Sequence, residues 1–263
     1  MLTGKPIMTD TFSELKAKVP QATLLFWVLK MMSTTVGETG ADWINFGLGF
    51  GLTGTSLISA LLFLFILLFQ LRAPRYIPWL YWLTVLMVSI TGTLLTDYLT
   101  DQMQVPLLYS VAMFGSGLVM VLMFWHRTEG TLEFSSINTK GREIYYWLAI
   151  MITFAFGTAL GDALAERLSL GYLTTTLLFA VLIAATAALW RIGRLSSVAC
   201  FWTVYVLTRP LGASLADLFS QPIKEGGLGY GTTPVNIIFL LAMAILIGAS
   251  TLYGHSSRQI SKL

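Results

Sequence analysis

One pattern returns four times in the chain and constrains its fold more than any other feature: an aromatic residue before a Trp, a Gly ten positions after the Trp, and an Asp five positions after the Gly. The copies are Phe26-Trp27, Gly37, Asp42; Tyr81-Trp82, Gly92, Asp97; Tyr146-Trp147, Gly157, Asp162; and Phe201-Trp202, Gly212, Asp217. Four matches at fixed offsets mark an internal repeat, so the fold is one two-helix unit used four times. The Gly-to-Gly steps are 55, 65 and 55 residues. The longer middle step holds a polar, turn-rich linker from His126 to Arg142 and divides the chain into two halves of two repeats.

The sequence around the repeats is 56% hydrophobic and 11% charged, with a mean hydropathy of +0.74, which places the chain in a bilayer rather than in water. Apolar segments fall at about 21–44, 47–71, 77–99, 105–126, 143–166, 170–190, 196–219 and 231–253, each near the ~20 residues that cross the hydrocarbon. The expected architecture is therefore an all-α membrane protein. Its eight transmembrane helices form four parallel two-helix repeats around a pseudo-symmetry axis along the membrane normal. The repeats run over about 21–75, 76–140, 141–195 and 196–254, within a single membrane domain of residues 21–263 behind a cytoplasmic lead of residues 1–20. In that lead, Thr11 and Glu14 have capping-box spacing for a short helix over 9–18.

Twelve of the sixteen Lys and Arg residues lie in the N-terminal lead, the inter-repeat linkers and the C-terminal tail, against Arg167 and Lys224 in the opposite turns. The positive-inside rule then puts both termini in the cytoplasm of a bacterium, with the protein multi-pass in the inner membrane. The net charge of +3 is accounted for by that bias and gives no reason to expect nucleic acid as a partner. Cys200, the single cysteine, excludes an intramolecular disulfide.

With Trp27, Trp82, Trp147 and Trp202 as interface anchors at the cytoplasmic end, the Asp of each copy lies about 22 Å further along its helix. Four aspartates in the outer membrane region, joined by Glu38, Asp101 and Glu166 one turn away, concentrate negative charge where it is costly. Solvated helix ends are the plain reading. A bound cation or shared proton is the functional one, because stacked carboxylates otherwise repel at low dielectric. A metal would be held by Asp42, Asp97, Asp162 and Asp217, with the hydroxyls of Thr93 and Thr158, an oxygen set suited to magnesium, manganese or calcium. Gly37, Gly92, Gly157 and Gly212 allow close helix packing or mark helix breaks, the latter favoured in the fourth copy by Pro210. Lys30 is expected to snorkel to the cytoplasmic interface. Arg209, deeper in its helix, serves as an ion-pair partner or gate.

These Trp, Gly and Asp residues resemble a family of bacterial membrane proteins of unknown function, made of four tandem two-helix repeats, each with a tryptophan. The resemblance spans nearly the whole chain and implies the architecture, not an activity. The carboxylates lead to a transporter for a divalent cation of the manganese or magnesium type, the cation being substrate and not cofactor. The alternatives are a proton-coupled exporter of an organic cationic solute and a non-transporting scaffold or sensor. No Ser/His/Asp or Cys/His set points to an enzyme. The expected partners are the lipid bilayer and a small cation or proton, with the oligomeric state unassigned.

Overall fold

The computed structural model describes residues 17–47 and 49–260 and, within them, the side chains of all but residues 46, 47, 166 and 253–260. The N-terminal helix expected over 9–18 falls, up to residue 16, outside the described residues. Among those described there are eight α-helices and no strand: α1 (Leu24–Asp42), α2 (Gly51–Arg72), α3 (Pro78–Asp97), α4 (Leu107–Glu129), α5 (Lys140–Asp162), α6 (Tyr172–Arg191), α7 (Ser197–Ser220) and α8 (Thr232–Ile260). Seven of them, α2 to α8, are long and apolar enough to cross a membrane, as in a multi-pass membrane protein. Of the eight expected apolar spans, seven are met by length and composition and α1 is not. Its Lys30, Glu38 and Asp42, with the run Ser33-Thr34-Thr35, take it out of that set.

Local signals start the odd-numbered helices. Thr23, Thr139 and Ser196 cap α1, α5 and α7 by accepting from the backbone N–H three residues on, and Pro78 opens α3 at a position whose N–H has no helical partner anyway. These four helices form the inner layer. α1 packs on α3, α3 on α5, α5 on α7, and α7 back on α1. Each even helix lies outside and packs on the odd helix of the next repeat: α2 on α3, α4 on α5, α6 on α7, and α8 on α1. Burial follows the layers. Of the most apolar window, 78% is buried in α3 but only 17% in α2, α4 and α6 and 11% in α8.

The repeat glycines explain how the inner helices come so close. A Cβ on Gly37 would stand 1.8 Å from Ser89 Oγ, on Gly92 2.7 Å from Phe154 Cβ, on Gly157 2.3 Å from Arg209 Cγ, and on Gly212 2.4 Å from Thr34 Cγ2. Every contacted residue lies three positions before the glycine of the following repeat, and the fourth contact returns to the first repeat. Only hydrogen fits at these crossings. The helices run unbroken through all four glycines.

Irregularity begins instead at the aspartates. Asp42, Asp97 and Asp162 are each the last residue of an α-helix that continues as a π-helical turn, Trp43–Gly47, Tyr98–Gln102 and Ala163–Arg167. α7 runs three residues past Asp217 and ends without such a turn. Beyond, Gly171 (φ +74°) and Gly229 (φ +76°) turn the chain in a left-handed conformation that side chains resist.

The glycine contacts carry a direct test. Gly92→Ala should destabilise the detergent-solubilised protein by about 1–3 kcal/mol. Gly248→Ala on the outer helix α8, where an added Cβ meets nothing within 4 Å, should leave the melting temperature unchanged.

Candidate functional site

The residue after each repeat glycine faces the middle of the inner layer. In the first three repeats it is Glu38, Thr93 and Thr158, and in the fourth Ala213. Glu38, Thr93 and Thr158 converge on one group, the guanidinium of Arg209 from α7, which is 0% exposed. Its Nη2 donates to Glu38 Oε2 at 2.8 Å, to Thr158 Oγ1 at 2.6 Å and to Thr93 Oγ1. Thr93 Oγ1 in turn lies 3.1 Å from Glu38 Oε2 as a donor. The guanidinium carbon stands 5.2 Å from the centroid of the Phe154 ring. The aliphatic stem of Arg209 is seated on Gly157, so the packing glycine of repeat three places the charge of repeat four.

Lys30 enters the same region from α1. It is 0% exposed. Its ammonium donates to Thr208 Oγ1 at 2.6 Å and lies 4.3 Å from the Tyr205 ring centroid and 5.3 Å from that of Phe154. The expectation that Lys30 snorkels to the interface is corrected. Three residues past Trp27 its stem could reach outward, but the Tyr205 face, the Phe154 ring and the Thr208 hydroxyl hold the head group inside.

The linker end of the bundle is closed by aromatic rings. Phe134, from the middle linker, stacks on Phe201 at 4.4 Å and meets Phe26 at 5.3 Å and Tyr146 at 5.8 Å. It thus sits among three of the four aromatics that precede the repeat tryptophans. The fourth, Tyr81, is hydroxyl-bonded to Tyr146. Behind the plug, Lys18 bonds Glu143 at 2.5 Å and the Leu71 carbonyl at 3.2 Å, while Gln70 bonds the other oxygen of Glu143 at 3.1 Å. In the neighbouring linker, burial pushes the Tyr76 hydroxyl up to about 12, so it stays a neutral phenol.

A profile described as Repeat of Unknown Function (DUF347) matches residues 25–76, 80–131, 145–194 and 200–256, four tandem copies that take in most of the chain. The chain belongs to this DUF347 family. No curated protein and no solved structure matches it.

In this DUF347 chain the repeat tryptophans pack against other aromatic rings. Trp82, Trp147 and Trp202 are buried, and Trp27 is half-buried. At three of the four junctions the Trp of one repeat meets the aromatic of the repeat before it: Trp82 with Phe26 at 5.7 Å, Trp147 with Tyr81 at 5.6 Å, and Trp27 with Phe201 at 5.5 Å. Trp202 turns instead to Trp125 at 5.5 Å and donates to the Leu132 carbonyl at 2.9 Å, securing the linker that carries Phe134.

The aspartates of the first three repeats lie one turn beyond the residues that meet Arg209. Among the described residues no three His, Cys, Asp or Glu side chains are placed to hold a metal ion. Four residues beyond the inward-facing position is about 40° round the helix and about 6 Å further along. Asp97 lies within electrostatic reach of Glu38, Asp42, Asp101 and Arg209. Asp101 is exposed, Asp162 is half-buried, and Asp217, 8% exposed, belongs to the core. The side chain of Glu166 lies outside the described residues.

Leu132, Phe134 and Ile137, three apolar residues in an otherwise polar linker, are the signal that could have marked the plug. Glu143 and Lys18 gave none, since their pairing joins residues 125 positions apart.

A buried pair stranded by the loss of one partner is costly. Glu38→Gln should lower unfolding stability by about 3–5 kcal/mol, and adding Arg209→Met should restore much of it, read by denaturant or thermal unfolding in detergent.

Proposed function

We propose that this protein is a proton-coupled transporter for a small organic cation, working along the axis of the inner helices. The observation that carries the reading is the seat of Arg209: a carboxylate, two threonine hydroxyls and an aromatic face gathered around one buried guanidinium. That donor set suits a soft, delocalised organic cation better than a hard divalent ion, which demands several oxygen ligands at once. The ammonium of Lys30 over Tyr205 repeats the same chemistry nearby.

In this reading Arg209 is a tethered stand-in for cargo. A carboxylate in the bundle cannot be left bare at low dielectric, so Glu38 holds Arg209, a proton or the cargo by turns. Competition of proton and cargo for Glu38, and for Asp97 beside it, makes the exchange obligatory. The described conformation is closed at the linker end by Phe134. The four repeats are taken to surround a pseudo-four-fold axis along the membrane normal, with α1 as the eighth span because the other inner helices and α8 cover its polar residues. Both termini then lie in the cytoplasm of a bacterial inner membrane, in keeping with the Lys and Arg of the linkers.

A divalent-cation transporter remains the second reading. It draws on the crowding of Glu38, Asp42 and Asp101 about Asp97.

Liposomes containing the purified protein and loaded with ethidium separate these readings. We expect dye efflux driven by an inward proton gradient, with internal acidification, and a loss of at least tenfold in Glu38→Gln and Asp97→Asn. Manganese or magnesium flux without dye movement would instead support the divalent reading. Absence of any flux, with variants that alter only stability, would leave a scaffold.

A further inference from the structure

Two buried cations in the inner layer keep N–H donors that no described side chain accepts. Arg209 is paired with Glu38, but its Nε and Nη1, both buried, find no acceptor among the described residues. Lys30 has three ammonium protons, and Thr208 Oγ1 takes one of them. That hydroxyl spends its own proton on the Tyr205 carbonyl at 2.8 Å, so it serves Lys30 as a neutral acceptor only. No carboxylate stands within ion-pair distance of Lys30 among the described residues. Glu38 lies eight residues further along the same helix, about 12 Å away in rise.

The two cations are nevertheless neighbours. Their head groups lie 5.3 and 5.2 Å from the centroid of the same Phe154 ring. Two buried like charges with unused donors, only one of them paired with a carboxylate, are unfavourable in a dry bundle unless something of opposite sign stands between them. The aromatic faces contribute only modestly to holding a cation and leave the N–H groups unanswered.

We propose that a small monovalent anion of halide size binds between Lys30 and Arg209, beside Phe154, accepting from the Lys30 ammonium and from Nε or Nη1 of Arg209. Chloride has that charge and size. The site stands apart from the cargo reading, since it is defined by donors and not by carboxylates. An anion here also fixes Arg209 from the side opposite Glu38. Its loss would loosen the central ion pair.

The test is thermal unfolding of the detergent-solubilised full chain in sodium chloride or sodium bromide against sodium gluconate at constant ionic strength. A ligand confined to the folded state raises apparent stability by mass action. We expect a saturable rise of a few degrees with either halide, retained in Lys30→Arg and lost in Lys30→Met. Lys30→Met relieves a buried like-charge contact, so it should melt no lower than the parent in gluconate. An anomalous bromide peak beside Phe154 in crystals would place the ion. Equal melting in halide and gluconate would overturn the proposal, as would a halide response unchanged in Lys30→Met. Dye transport unaffected by halide would leave the site standing, and a halide site without transport would sink only the functional reading.

Discussion

The inner helices can meet only because each carries a glycine where its neighbour crosses. At Gly37, Gly92, Gly157 and Gly212 the nearest atom of the next helix lies where a Cβ would have to be. Membrane helices gain no hydrophobic drive from leaving lipid, so contact depends on packing and hydrogen bonding. Close crossings supply both: Thr96 Oγ1 reaches the Ala155 carbonyl at 3.0 Å and Thr35 Oγ1 the Gly212 carbonyl at 3.4 Å. With four helices so close, the middle is filled by whatever side chain each repeat presents there. The repeat therefore builds the frame, and the substitutions within it build the site.

Those substitutions are unequal. Three positions before the glycine the repeats offer Thr34, Ser89, Phe154 and Arg209, and one position after it Glu38, Thr93, Thr158 and Ala213. Arginine in one copy and glutamate in another make an ion pair across the centre, with the two threonines completing the hydrogen bonds. Seven before the glycine, Lys30 and Tyr205 belong to neighbouring copies and face each other, while Val85 and Ile150 fill the remaining places. A symmetric ring of like charges would repel. Here opposite charges sit at different levels of adjacent copies, and the cost of burial is partly offset by contact.

The repeat, its helical pairs and the depth of Arg209 were legible because period and hydropathy are local properties of a chain. The linker plug was not read from the sequence, although Phe134 and Ile137 stand out as apolar there. What sequence could not show is which face of each helix looks inward. The aspartates drew attention because they recur, yet recurrence marks a shared place in the repeat. At Asp42, Asp97 and Asp162 that place is where α-helix passes into a π turn. The inward-facing position is four residues earlier, where the residue type varies between copies and recurrence gives no signal. Lys30 was misjudged for a similar reason, since distance from Trp27 gives depth along the helix but not the side that is buried.

α1 shows how far the copies depend on one another. It is the one inner helix not apolar enough on its own to enter a membrane, and it carries Lys30 and Glu38, two charges of the central site. Their partners, Thr208 and Arg209, lie 178 and 171 residues further on, and α8 covers its outer side. α1 is thus first in the chain and last to have its polar groups satisfied, since that requires the fourth repeat. A helix stabilised in this way is held by its neighbours more than by lipid, so any change that frees Arg209 from Glu38 also loosens α1. The central charge and the position of α1 are in this sense one equilibrium, set by the Arg209–Glu38 pair.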